Sequence, residues 1–431
     1  MIGGGALAVL VVAGVLVAGN GPGGTGTPGA AGGSASADLA VAHTKAWSAP
    51  ADASAGSNQD GLLGGWITGN AVVRGDGTAV TAYSASDGHK LWTVAAPSAN
   101  AVPCGMSPEV NSAGLGAVLY QPKPGTGQPC TSVVAVDTAT GRTKWTKSLS
   151  SGSSGYDAAV SVTDNRVIAV GDDQAVGYDS GSGAQKWTYA GPGKFCTLAG
   201  DGGSSTVLVQ ATCADTSSKQ QLVQLDATSG KMNWWRGLPG DAASFTVLSA
   251  QPIAVGVNYT DTTKNKVMSF SQTGSSQPDI PLAQSGGTLA AAHGAFDPTP
   301  GVWFQGTTMV AALTPAAGSG SPSAATTVAA YDLSTGKREW LTKLTEQGQS
   351  APVGIDGQSV VMATEERTGQ QARLSKLALG DGKETQGGGF PNGTGSLLTS
   401  GRVVMDNDLI ATLPAFTTTY ATAVTAYRNA G

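Results

Sequence analysis

Short apolar runs alternate with turn-forming residues along almost the whole chain, and one such pattern returns eight times. Its clearest copy is VVAVDTATGRTKWT, from Val133 to Thr146: an apolar run, Asp, small residues, Gly, three variable positions and Trp. The same plan recurs as AVGYDSGSGAQKWT (Ala175 to Thr188), LVQLDATSGKMNWW (Leu222 to Trp235) and VAAYDLSTGKREWL (Val328 to Leu341), with a looser copy, VTAYSASDGHKLWT, at Val80 to Thr93. Two copies are degraded, at Val267 to Asp279 and Leu374 to Gln386, and an eighth, AVTAYRNAG, stops where its turn should begin. The residue before the Asp position falls at Tyr83, Val136, Tyr178, Leu225, Phe270, Tyr331, Leu377 and Tyr427, so successive copies are 42 to 61 residues apart. Self-similarity at such a period is the mark of a repeat architecture.

Each copy predicts a β-hairpin. The apolar, β-branched and aromatic run is a strand. Asp can accept backbone N–H bonds across the turn, and Gly supplies φ > 0 where the chain reverses. The following strand carries Trp, a large apolar wedge suited to burial between neighbouring units. Trp92, Trp145, Trp187, Trp234 and Trp340 occupy this position. Further apolar runs between the hairpins, such as Val167 to Val170 and Val207 to Val209, bring each unit to four antiparallel strands. Radial repetition of that unit is an all-β, eight-bladed propeller. Ala42 to Ser48 (AHTKAWS) resembles only the second half of a repeat, and the last copy lacks that half. The N-terminal strand, with Trp47, is therefore expected to complete the eighth blade beside Tyr420 to Tyr427, covering edges otherwise open to aggregation.

Composition then places the chain. Only 12% of its residues are charged, 63 are Gly, and the net charge is −5, which suits a turn-rich β protein and offers no basic run for nucleic acid. Met1 to Gly19 is uncharged and rich in Ala, Val and Leu, barely long enough for a transmembrane helix. The expected organisation is an anchor at 1–19, a Gly/Ser/Pro-rich linker at 20–40 and a propeller at 41–431. That organisation places a monomeric, single-pass protein in the cell membrane with its propeller outside the cytoplasm. Four cysteines fall in two local sets. Cys104 and Cys130 bracket the first two strands of the second blade, and Cys196 and Cys213 those of the fourth. Each set can close a disulfide on one blade face, in keeping with export; the alternative is four small buried thiols.

Residues able to do chemistry are few. His43 and His89 sit in outer-strand repeat positions, and His293 lies in AAAHGAF of the sixth unit, with no partner that would make it a general base. Asp172–Asp173, Glu365–Glu366 and Asp406–Asn407–Asp408 read as solvated turns, the last lacking the rest of a calcium-loop pattern. Trp303 stands outside the repeat register. The longest interval, Phe270 to Tyr331, holds Phe296, Trp303 and a Gly/Ser/Pro-rich insertion from Pro315 to Ser323; the loop Gly387 to Gly395 places Phe390 between glycines. Phe296, Trp303 and Phe390 are the candidate contacts for a partner, an extracytoplasmic protein or envelope polymer, since aromatic residues supply much of the energy of known interfaces.

The motif carried by Asp137, Gly141 and Trp145, by Asp179, Gly183 and Trp187, by Asp226, Gly230 and Trp234, and by Asp332, Gly336 and Trp340 resembles the tryptophan-docking motif of the quinoprotein-like (PQQ repeat) β-propellers. That superfamily includes quinoprotein alcohol dehydrogenases and the propeller lipoprotein of the outer-membrane β-barrel assembly machinery. A Gly/Ala-rich chain with a bare apolar N-terminus looks most like membrane-anchored members from high-GC Gram-positive bacteria. The resemblance implies either a binding scaffold without catalysis or a PQQ-dependent dehydrogenase of alcohols or sugars. The dehydrogenases carry adjacent cysteines over the quinone and a Glu/Asn/Asp calcium set; this chain has no adjacent cysteines and no assignable acidic set. The expectation is thus a scaffold without cofactor.

Overall fold

The computed structural model describes residues 38–51, 59–125, 127–149, 158–315 and 324–430. The expected anchor at Met1 to Gly19, nearly all of the linker and most of the Pro315 to Ser323 insertion lie outside these residues. No helix among them is long and apolar enough to cross a membrane. The described residues form eight antiparallel sheets in ring order. Their first strands, Leu62–Thr68, Val102–Met106, Ala159–Val162, Cys196–Gly202, Ser244–Ala250, Val302–Gln305, Ser350–Asp356 and Gly401–Asp406, are the inner strands of blades 1 to 8. Seven blades have four strands; the sixth has six, because its inner position is shared by Gly287–Leu289 and Val302–Gln305 and extended by Ala283–Gln284. The first strand of the chain, His43–Pro50, pairs antiparallel with Thr422–Asn429 as the outermost strand of blade 8, with Trp47 opposite Ala426. The ring is closed by its two ends.

The repeat residues meet across the seams between blades. Each docking Trp leaves its outer strand and lies on the turn glycine of the next blade. At Gly183, whose φ is +68°, an added Cβ would fall 2.7 Å from the Trp145 ring, so the wedge fits only against glycine. The indole Nε1 then donates to the carbonyl two residues past the aligned position of that next blade. Trp47 reaches Ala85 O (3.1 Å), Trp145 Ser180 O (3.0 Å), Trp187 Ala227 O (3.1 Å), Trp234 Gln272 O (3.0 Å) and Trp340 Leu379 O (2.7 Å). Trp92 seats on Gly141 in the same way, but its Nε1 has no acceptor.

Two seams use other means. Between blades 5 and 6, Pro278 takes the Trp place against Gly336. Between blades 7 and 8, residues 38–42 lie directly on the outer strand Glu384–Gly389: Gly388 N–H donates to Leu39 O (2.6 Å), and Cβ atoms at Gly387 or Gly388 would collide with the Leu39 and Val41 carbonyls. This contact corrects one expectation. Phe390 is fully buried, because the incoming N-terminal segment covers it. His43 stacks on it at 4.5 Å and Tyr427 meets it edge-on at 4.9 Å. Trp303 is corrected too. It is 4% exposed, on the inner strand of blade 6, with Nε1 donating to Pro352 O of blade 7 at 2.9 Å. Trp66 makes the matching inner wedge from blade 1, donating to Ser107 O at 2.7 Å. Both are packing residues, closed to a partner.

Candidate functional site

The inner strand of blade 6 is interrupted in mid-course. Leu289 pairs with Leu313, and the sheet register resumes only at Val302, opposite Ala311. Residues 290–301 (AAAHGAFDPTPG) leave the sheet between these points as a strap over the inner edge of blade 5. A register shift frees Leu248 from the blade 5 ladder, and its carbonyl accepts from Ala295 N–H at 2.6 Å. Gly294 lies so close to the Leu248 backbone that a Cβ would fall 2.6 Å from its Cα. Ala291 packs in the core between blades 5 and 6, whereas Phe296 packs against the core between blades 4 and 5. Phe296 is therefore half-buried in its own chain.

The strap carries Asp297 to Asp201 on the inner strand of blade 4. Burial, reinforced by the Asp297 charge, pushes the Asp201 carboxyl well above the usual carboxylate range. Burial also raises Asp297, opposed by His293 and by the Gly294 N–H that donates to Asp297 Oδ2 at 2.6 Å. His293 itself is exposed, with Nδ1 3.9 Å from Asp297 Oδ2. A second axial feature is Arg402, on the inner strand of blade 8. Its guanidinium reaches Pro108 O of blade 2 at 3.1 Å, and burial lowers its pKa to about 10 against the opposing pull of Glu109. Neither Asp201 nor Arg402 stood out in the sequence. The available signals were an acidic residue between glycines in an apolar strand and a polar run breaking the sixth repeat.

Other sequence candidates resolve as scaffolding. Cys104–Cys130 and Cys196–Cys213 are disulfides, both on the face away from the Asp–Gly turns. Glu366 accepts from Gly393 and Gly395 N–H, and Glu365 from Gln349 N–H, so this doublet shapes loops. Asp408 pairs with Arg428 across the last blade. Among the described residues no group of three or more His, Cys, Asp or Glu is placed to hold a metal. The cysteines bridge across 26 and 17 residues, and adjacent ones do not exist.

Comparison with known proteins places this geometry. Residues 79–296, just over half of the chain, match the PQQ-repeat family described as outer membrane protein assembly factor BamB. No curated protein sequence matches the chain. Among solved structures, BamB from Moraxella catarrhalis is similar at 15% identity and a TM-score of 0.48, covering 90% of this chain and 99% of that one. The quinohemoprotein alcohol dehydrogenase ADHIIG from Pseudomonas putida HK5 is similar at 12% identity and a TM-score of 0.50, covering 89% of this chain and 76% of that one. At these identities the likeness concerns the fold.

Proposed function

The chain belongs to the PQQ-repeat β-propeller family described as outer membrane protein assembly factor BamB, and on that premise we propose that it is a non-catalytic binding scaffold, tethered to a membrane outside the cytoplasm. The observation that carries this reading is the strap. Residues 290–301 lie along the inner edge of blade 5, with Ala295 N–H on Leu248 O and Phe296 against the core between blades 4 and 5, so the axial side of these blades is given to the chain's own packing. What the ring offers to other molecules is its loops and its rim. Two disulfides support an oxidising compartment, and the apolar run Met1 to Gly19 supports a tether.

A direct experiment separates this reading from a dehydrogenase. The purified protein is incubated with PQQ and calcium, then assayed for reduction of an artificial electron acceptor with alcohols and aldoses, and its melting temperature is recorded in parallel. The scaffold reading expects neither turnover nor a shift in melting. Robust turnover lost on calcium removal would overturn it.

A further inference from the structure

The outer strands of the eight blades carry ten of the 24 Lys and Arg residues but only two of the 29 Asp and Glu. Those strands have a formal charge of +8, against −13 for the rest of the chain (14 cations, 27 anions). In the sequence these cations are dispersed, one small group per repeat; the ring brings them to one rim. Half of the ten lie on blades 2 to 4, where Arg142–Ser148, Gln185–Tyr189 and Met232–Gly237 place Arg142, Lys144, Lys147, Lys186 and Arg236 in succession, with Lys231 just before the last strand. Of these six only Lys186 makes an ion pair among the described residues, to Asp179 at 3.8 Å. The nearby carboxylates of Asp137, Asp179 and Asp226 are turned into the hairpin turns, accepting from Ala139, Ser182 and Ser229 N–H, so their charge sits at one end of the rim. Amid the cations, Trp235 and Met232 are each 43% exposed. Trp234, beside them, is buried under the Arg236 guanidinium, 5.8 Å from its ring, so Trp235 is the indole this strand leaves open.

We propose that the rim of blades 2 to 4 binds an anionic glycopolymer, a flexible chain of sugar or polyol units bearing phosphodiester charges. The inference rests on the scaffold reading and supplies its partner class. Cations repeating from blade to blade match a chain with regularly spaced charge, since a compact anion would meet one blade at a time. Charged contacts at an exposed rim give binding that weakens with salt. An exposed indole adds a flat apolar face on which a sugar or polyol backbone can pack.

The test uses the folded protein and a fluorescent synthetic poly(glycerol phosphate), with uncharged dextran and polyglutamate as competitors. The parent binds the phosphodiester polymer, with affinity falling as salt rises; dextran does not compete and polyglutamate competes weakly. Lys144→Glu with Lys147→Glu, whose melting temperature should match the parent, weakens binding by about tenfold or more. Trp235→Ala weakens it several-fold at high as well as low salt, and Lys337→Glu with Lys343→Glu on blade 6 leaves it within about twofold. Absence of polymer binding, or binding unchanged by the blade 2 reversal, would show that the rim cations serve only to keep outer edges apart. Equal competition by polyglutamate, or equal loss from the blade 6 pair, would also refute the assignment. The quinone assay is independent of all these outcomes, so either reading can fail alone.

Discussion

Replacing Trp47 by Ala tests the closure of the ring more sharply than any other single change. The side chain is 7% exposed, lies on Gly88 of blade 1 and donates to Ala85 O. Truncating a buried Trp costs about 3–5 kcal/mol. The lost hydrogen bond adds little beyond that, because Ala85 O keeps a second donor in Arg428 Nη2 at 3.1 Å. A loss of about 4 kcal/mol should lower the calorimetric melting temperature by roughly 5–10 °C in a domain of this size. Trp340→Ala provides the control. It has the same 7% exposure and the same seat, on Gly382, but its strand, Lys337–Lys343, is joined to its sheet neighbour by a hairpin turn, whereas His43–Pro50 is held to Thr422–Asn429 by pairing alone. The two variants should therefore melt comparably yet differ in hydrogen exchange. Trp47→Ala should speed exchange in Thr422–Asn429 and Leu62–Thr68, the strands flanking the closing seam, whereas Trp340→Ala should not. If Trp47→Ala melts within a degree of the parent, or leaves exchange in Thr422–Asn429 unchanged, closure by the N-terminal strand is not what holds the ring.

Three further outcomes are expected. Burial lowers the pKa of His43, against the Asp38 charge, and neither ring nitrogen has a partner; the unfolded chain then binds its proton more readily, so this stability is complete above about pH 6.5 and falls as the pH drops below it. His43→Phe should flatten that part of a pH-melting curve, and an unchanged acid limb would count against the seam described. Asp201 has a raised pKa and so costs stability as the pH climbs above about 4; Asp201→Asn should raise the melting temperature at pH 7 and leave it unaltered at pH 4. Cys104→Ser with Cys130→Ser, and Cys196→Ser with Cys213→Ser, open loops of 26 and 17 residues and should each cost about 3 kcal/mol. Non-reducing peptide mapping of the parent should find those two bridges, and a bridge crossing between the sets would reject the blade assignment.

The parts of the fold legible in the sequence are those that repeat. Asp179, Gly183 and Trp187 announce a turn and a wedge because every blade must solve the same packing problem with the same spacing. The half-repeat at Trp47 and its missing complement at Tyr427 likewise implied closure. What escaped notice lies where a blade departs from the plan. Phe390 between glycines looked like an exposed loop tip, yet those glycines admit the backbone of Leu39 and Val41, a contact from the far end of the chain that local pattern cannot show. Trp303 looked unassigned because it belongs to an inner-strand wedge that recurs in blade 1 alone, as Trp66. The strap at 290–301 read as a long interval, since neither its hydrogen bond to Leu248 nor the approach of Asp297 to Asp201 has any periodic signature.

The pairing of His43–Pro50 with Thr422–Asn429 also sets a timetable for biosynthesis. The strand that seals the ring is made first, and its partner is made roughly 370 residues later. At translation rates of about 5–20 residues per second, that delay is roughly 20–75 s. Throughout it, seven blades can assemble in order while the opening strand, with Trp47 and the histidine that will rest on Phe390, waits without its neighbour. The nascent molecule thus passes through a long-lived open crescent with one unpaired strand at each extremity, and that intermediate, rather than the finished propeller, is the species a chaperone or a protease would meet.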